Sequence, residues 1–247
     1  MLLPAGAART AIRQIVDFAL PPRCPGCGEV TEEEHRFCIA CWQKLHFLGD
    51  PCCARCGLPF DYDRGADVEC GACLASPPAF DSLRAAVAYG DIARNVALKL
   101  KYAGRPGVAL TLAHFMRRHL DPSADAILAP VPLHRWRIWR RGYNQSALIV
   151  SALAKRGGLE TRLDLLTRAK ATPSLRGLNR SQRALAVRGA FRIEDRMKSA
   201  LRGRTIVLVD DVYTTGATAN GCARALKRAG AKEVNILCWA RVVGGSD

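Results

Sequence analysis

The stretch Val207–Thr218 reads Val-Leu-Val-Asp-Asp-Val-Tyr-Thr-Thr-Gly-Ala-Thr. An apolar strand runs into two adjacent carboxylates, a threonine-glycine turn follows, and a helix begins. The backbone N–H groups of such a turn and the positive end of the helix together make a place for a phosphate. Thr214, Thr215 and Thr218 add hydroxyl donors, and Gly216 lets the backbone approach the anion closely before Ala217 opens the helix. Asp210 and Asp211 sit one step earlier. From there they can accept hydrogen bonds from the two hydroxyls of a ribose whose 5′-phosphate lies in the turn.

A second chemistry is carried by cysteine. The chain has 11 cysteines, and all but Cys222 and Cys238 fall between Cys24 and Cys73. Cys24-x-x-Cys27 with Cys38-x-x-Cys41, and Cys53-x-x-Cys56 with Cys70-x-x-Cys73, have the spacing of two four-thiolate zinc sites. Each pair is a tight turn presenting two sulfurs, and the residues between pairs suffice for a hairpin. Cys52 is an alternative to Cys53, less favoured because x₂ is the commoner spacing. The region is poor in long apolar patterns, so a bound metal would supply folding energy that a core cannot. His35 and His46 read as surface residues, and Cys222 and Cys238 as buried apolar ones.

Charge is the third signal. Net charge is +15, unevenly spread: residues 1–80 carry seven basic and ten acidic side chains, residues 81–247 thirty and twelve. Residues 134–192 hold fourteen Arg or Lys against only Glu160 and Asp164. Such a field favours polyanions. Trp136, Trp139 and Tyr143 interleave with Arg135, Arg137, Arg140 and Arg141, an arrangement in which aromatics stack on bases while cations track a backbone. Arg176, Arg180 and Arg183 continue the basic arm in a segment, 169–190, whose Arg, Ser and Gly content reads as a mobile loop. These seven arginines are the candidate contacts for single-stranded nucleic acid.

The elements that must position these groups alternate. Strands are expected at Leu83–Tyr89, Ala126–Val131, Leu163–Thr167, Thr205–Val209 and Val234–Ala240; helices at Ile92–Tyr102, Val108–Leu120, Ser146–Lys155 and Ala217–Ala229. Strand–helix alternation with strands apolar on both faces predicts an α/β fold, a mostly parallel sheet with helices on both faces. Ligands then bind at the carboxyl ends of the strands. A proline-stopped helix at 1–22, a cysteine-rich unit at 23–75, a linker at Ser76–Phe80 and an α/β domain at 81–244 make up the expected organisation. No apolar run reaches the length of a membrane span, and Arg9, Arg13 and Asp17 interrupt the only N-terminal one, so the expected location is the cytoplasm.

The segment 207–218 closely resembles the phosphoribosyl pyrophosphate (PRPP) motif of type I phosphoribosyltransferases. Pro130-Val-Pro132-Leu-His134 lies where that family places its pyrophosphate loop, and Lys101 and Arg105 end the helix before it with two cations. The resemblance implies PRPP held with Mg²⁺, whose preferred ligands are phosphate oxygens, carboxylates and water. Across roughly residues 21–243 the chain resembles the ComF family, a double zinc ribbon joined to a type I phosphoribosyltransferase-like domain. The matching stretches are the cysteine repeats, Pro77-Pro-Ala-Phe80-Asp81, Leu100-Lys101-Tyr102, Pro130–His134, Arg140-Arg-Gly142-Tyr143-Asn144-Gln145, Thr172-Pro173, Gly189-Ala190-Phe191 and 207–218. Leu175 and Ala186 stand where the family usually has Gln and Asn.

What the resemblance implies is a role in competence, the handling of incoming single-stranded DNA, with a protein of the competence machinery as a further partner. Two other readings stand beside it. One is an active phosphoribosyltransferase on an unidentified small-molecule acceptor, for which no catalytic residue is evident. The other is an interaction adaptor working through its zinc ribbons.

Overall fold

The computed structural model describes residues 21–102, 106–171 and 179–244. The helix expected at 1–22 lies almost wholly outside them, as do Arg105 and Arg176. Among the described residues, the cysteine-rich segment contributes two one-turn helices, α1 (Ile39–Gln43) and α2 (Gly71–Ala75). There follow β1 (Ser82–Ala88), α3 (Asp91–Tyr102), α4 (Val108–Met116), β2 (Ala126–Pro130), α5 (Arg135–Arg141), α6 (Gln145–Gly157), β3 (Glu160–Thr161) and β4 (Thr167–Arg168). The remaining elements are α7 (Arg180–Ala186), β5 (Phe191–Arg192), α8 (Asp195–Leu201), β6 (Thr205–Tyr213), α9 (Ala217–Arg228) and β7 (Glu233–Arg241).

The main sheet has the order β1-β7-β6-β2-β3, every neighbouring pair parallel. Its two faces bury different side chains, as a strand period of two requires. Val207 and Val209 of β6 join a cluster with Val96 and Leu100 of α3, Leu112 of α4 and Ile149 of α6. Ile206 and Leu208 join another with Leu201 of α8 and Cys222 and Leu226 of α9. Helices thus cover both faces, as the alternating pattern predicts. Phe37 and Leu45 of the cysteine-rich segment are buried in the first cluster with Trp239 of β7. Phe80 is fully buried in the second, and the Asp81 carboxylate accepts from the Val234 N–H and from Lys227. No helix of the described residues is long and apolar enough to cross a membrane.

Three local expectations need correction. The run 163–167 is not a strand: Leu165 and Leu166 are buried within a loop, β3 lies just before it, and β4 pairs antiparallel with β5 in a separate small sheet. An apolar run this short cannot be told from a buried loop by periodicity. Segment 169–190 is not loop throughout. It contains α7, started by a capping box in which Asn179 accepts from the Gln182 N–H and Gln182 accepts from the Asn179 N–H. Strand β6 continues four residues past Val209, so Asp210 and Asp211 lie inside the sheet, with Asp210 level with Cys238.

Candidate functional site

Asp210 and Asp211 project from opposite faces of β6. Asp211 follows Val207 and Val209 toward α3, whose last turn brings Lys101 Nζ to 2.5 Å from its carboxylate. Burial opposes the charge on Lys101, but the two carboxylates outweigh it and raise its pKa above the ordinary value. Asp210 accepts from Ser146 Oγ at 3.1 Å and from the Asp211 N–H at 2.9 Å. Burial, then the Asp211 carboxylate, push Asp210 up to about 7. Asp211 is thus paired with a lysine, while Asp210 titrates near neutrality.

Beyond them Gly216, at φ +75°, turns the chain into α9. No side chain of the described residues caps this helix, so the N–H groups of its first turn have no intrahelical acceptor and face the cleft lined by Asp210, Tyr213 and Thr214–Ala219. Thr214 is exposed and Thr215 and Thr218 half-buried; Arg183 of α7 donates to Thr214 Oγ1 at 3.4 Å. A Cβ on Gly216 would lie 2.5 Å from the Tyr213 hydroxyl oxygen. We expect Gly216→Ala to lose about 1–3 kcal/mol of stability in urea denaturation, from left-handed strain and this clash. Adding Tyr213→Phe, which deletes the offending oxygen, should restore part of it; no recovery in the double variant would mean that the glycine answers backbone conformation alone.

The segment Arg140–Gln145 is the clasp that assembles these loops. The Tyr143 hydroxyl donates to the Leu100 carbonyl at 2.6 Å, fixing the end of α3 beside Lys101. Asn144 caps α6 through the Ser146 N–H and donates to the Val131 carbonyl, fixing the loop after β2. His134 is buried in that loop, where its ring nitrogen caps α5. Lys99 points away from the site: its ammonium donates to the carbonyls of Pro25 and Gly26 in the first cysteine knuckle.

The basic residues are gathered less tightly. Arg135, Arg137, Arg140 and Arg141 share α5, whose Trp136 and Trp139 are 64% and 79% exposed and meet edge-on. Both indoles are thus on the surface, on a helix that periodicity does not suggest. Arg141 donates to Gln145 Oε1 and lies over the Tyr102 ring. Arg180 lies on α7, and its side chain is outside the described part.

The two cysteine sets each bring their four sulfurs within 4.8 Å of one another: Cys24, Cys27, Cys38, Cys41, and Cys53, Cys56, Cys70, Cys73. Zinc–sulfur bonds of about 2.3 Å in a tetrahedron put neighbouring sulfurs about 3.8 Å apart. Cys27 and Cys38 are 3.6 Å apart, and Cys56 and Cys70 3.7 Å. Burial would raise the thiols of Cys24 and Cys53, but backbone N–H donors outweigh it and bring both down to about 7, toward the thiolate a metal needs. The donor sets fit zinc. Cys52 stands outside the second set, its thiol directed at Asp50. His35 is half-buried, its ring 3.2 Å from the Thr111 hydroxyl, while His46 is exposed as expected.

Two family models match: a double zinc ribbon domain over residues 15–74 and a phosphoribosyl transferase domain over residues 144–243. Competence protein F of Haemophilus influenzae is 29% identical over 228 residues, 89% of this chain and 96% of its own. DNA utilization protein YhgH of Escherichia coli is 31% identical over 198 residues, 77% of this chain and 84% of its own. The chain belongs to the ComF family. Among solved structures, the glutamine PRPP amidotransferase of B. subtilis, complexed with ADP and GMP, overlays at a TM-score of 0.38 with 18% identity, covering 57% of this chain and 30% of that one. The ComF assignment and the two four-cysteine clusters together support structural zinc.

Two residues of this ComF chain that brace the cleft, Arg241 from the ribbon side and Ser146 from α6, carry no chemical signal of their own in the sequence. Arg241, buried at the end of β7, donates to the Cys56 carbonyl and lies 3.5 Å from its sulfur, with its guanidinium over the Tyr213 ring. Ser146 stands in the sequence as the first residue of an expected helix, with nothing to tie it to Asp210.

Proposed function

We propose that this chain binds a phosphoribosyl ligand, PRPP or a close relative, with Mg²⁺ at Asp210–Thr218, and handles single-stranded DNA in the cytoplasm during DNA uptake or use, in company with a protein of the competence machinery. The observation that carries the ligand is the cleft itself: an uncapped helix start for the phosphate, one strand-step from two carboxylates fixed by Lys101 and Ser146. Asp210 and Asp211 would receive the ribose hydroxyls. Lys101, already bound to Asp211, orients that carboxylate instead of meeting pyrophosphate alone. Mg²⁺, when bound with the ligand, neutralises pyrophosphate charge. The names of the relatives, competence protein F and DNA utilization protein, support the role in DNA handling.

The DNA reading rests on α5, where exposed Trp136 and Trp139 alternate with arginines, and on Arg183 at the mouth of the cleft. Arg135 and Arg140 are the exposed pair to change, because Arg141 braces the start of α6. With Arg135→Ala/Arg140→Ala, fluorescence anisotropy on oligodeoxythymidine should show weaker binding. The slope of log affinity against log salt should be shallower by about 1.4, roughly 0.7 for each phosphate no longer neutralised. A variant with the full slope would make α5 a solvated surface.

A further inference from the structure

A concave groove of about 540 Å³ runs along α9, away from the phosphoribosyl cleft, and α5 contributes nothing to its described lining. One wall is Gly221, Arg224 and Arg228, spaced to share a helix face. The other wall is Ser181, Leu185, Val187, Arg188 and Phe191. A Cβ on Gly221 would lie 2.8 Å from the Phe191 ring, so the floor is packed down to the helix backbone. Leu185 stands 70% exposed over it. Arg228 also lines an adjoining recess of about 440 Å³ with Lys198, Ser199, Arg202 and Gly230. The two recesses form one track.

Among the described residues, no Asp or Glu lines this track. Lys198 is paired with Asp195, but the side chains of Arg188, Arg202, Arg224 and Arg228 are exposed and make no ion pair or hydrogen bond among the described residues. Four guanidinium groups around a concave surface repel one another unless an anion lies between them. A chain of phosphates is the anion that would satisfy all four, because each planar fork grips phosphate oxygens in pairs. The track also has a direction. Gly221 follows Thr218 by less than one helical turn, and Arg228 is seven residues, about 10 Å, further along α9. The groove therefore leads out of the cleft in which a 5′-phosphate would sit, with Arg183 at the junction.

We propose that this groove is a second binding surface for single-stranded DNA, distinct from α5, with Arg188, Arg202, Arg224 and Arg228 on successive phosphates and Leu185 against a base. It rests on the single-strand reading given above and extends it to a path: from α5 and Arg183 past the phosphoribosyl turn and along α9. The occupant is flexible and single-stranded, because the exposed apolar side chain of Leu185 beside the arginines needs an unpaired base to stack on.

The test is Arg224→Gln/Arg228→Gln in the full chain, beside wild type and Arg135→Ala/Arg140→Ala, with labelled oligodeoxythymidine over a salt series. The groove variant should bind about tenfold more weakly at low salt, with a salt slope shallower by about 1.4. Its affinity for Mg·PRPP should be unchanged. If wild type fails to bind the oligonucleotide, the single-strand reading and the groove fall together. If wild type binds and only the α5 variant weakens, the groove alone is overturned. Should the groove variant fail to fold, photocrosslinking of bromodeoxyuridine oligonucleotides to wild type decides: adducts at 181–191 or 221–228 support the groove, and adducts confined to 135–141 overturn it. Equal displacement by polyglutamate and by unlabelled oligonucleotide assigns the groove to an acidic polypeptide and also overturns the proposal.

Discussion

Protein purified without chelator is expected to contain two zinc ions per chain, and removing them should unfold the cysteine-rich region and weaken the phosphoribosyl cleft together. One sulfur–sulfur distance in each set is already a tetrahedral edge, and backbone N–H groups donating to Cys24, Cys27 and Cys53 orient the sulfurs. Among the described residues, the apolar packing around the second set is only Leu58 and Phe60. Structural zinc in such units is worth about 10–16 kcal/mol at neutral pH, as much as a small domain's whole stability. Cys53→Ser should cost one equivalent of zinc by elemental analysis, and Cys52→Ser none, since only Cys53 is in the cluster. Through Arg241 the loss should reach Tyr213 and Gly216. Chelator-treated protein should therefore bind Mg·PRPP at least tenfold more weakly once metal-free chelator is dialysed away and Mg²⁺ restored. Near-zero zinc with all eleven thiols titrating freely would sink the assignment.

Asp210→Asn/Asp211→Asn should lower Mg·PRPP affinity by a hundredfold or more in calorimetry. Asparagine keeps the shape and removes the charge. A hydrogen bond to a charged group is worth about 1.5–3 kcal/mol, so two lost charges amount to that factor at least. Unchanged affinity would mean that the ligand is held elsewhere. Asp211→Asn also leaves Lys101 without its partner; breaking such a pair costs about 3–5 kcal/mol when fully buried, and Lys101, partly exposed, falls at or below the lower end. Thermal melting separates that destabilisation from weakened ligand binding.

The titration of Asp210 gives the pH dependence its sign. Its pKa is raised, so the proton is bound more tightly by the folded chain than by the unfolded one. Its contribution to stability is present below the ordinary carboxylate range and is lost as pH rises through about 7. Ligand binding runs the other way, because the ionised Asp210 is the stronger acceptor of a ribose hydroxyl. Affinity should rise between pH 6 and 8, with proton release measurable in buffers of different ionisation enthalpy, and Asp210→Asn should abolish that release.

Legibility followed the range of the interactions. The turn at 207–218 is local chemistry, and it stands in the structure as a strand, two acids and an uncapped helix start. The cysteine knuckles are equally local, since spacing alone brings each pair together. Lys99 and Lys101 look equivalent in the sequence because both end the same helix. Two residues apart on a helix they point to different sides, one to the Pro25 and Gly26 carbonyls and the other to Asp211. Ser146 and Arg241 gain their meaning from partners 64 and 185 residues away, which no periodicity reports. In segment 169–190 the abundance of Arg and Ser conceals Asn179 and Gln182 at the spacing of a capping box.

The strand order has a consequence for synthesis. β7 is the last described element, yet it lies between β1 and β6. Ser82 finds its bonding partner, Asn235, 153 residues later. A chain emerging from the ribosome can therefore pair β2 with β6 but must leave β1 unpaired along its inner edge until the final strand threads between them. Pairings of such sequence separation close slowly. The same strand carries Trp239, which receives Phe37, and Arg241, which receives Cys56. A nascent or prematurely terminated product would thus hold a metal-loaded ribbon with no seat, an exposed apolar sheet edge and an unbraced phosphate turn, and would be the species a cell's proteases and chaperones meet first.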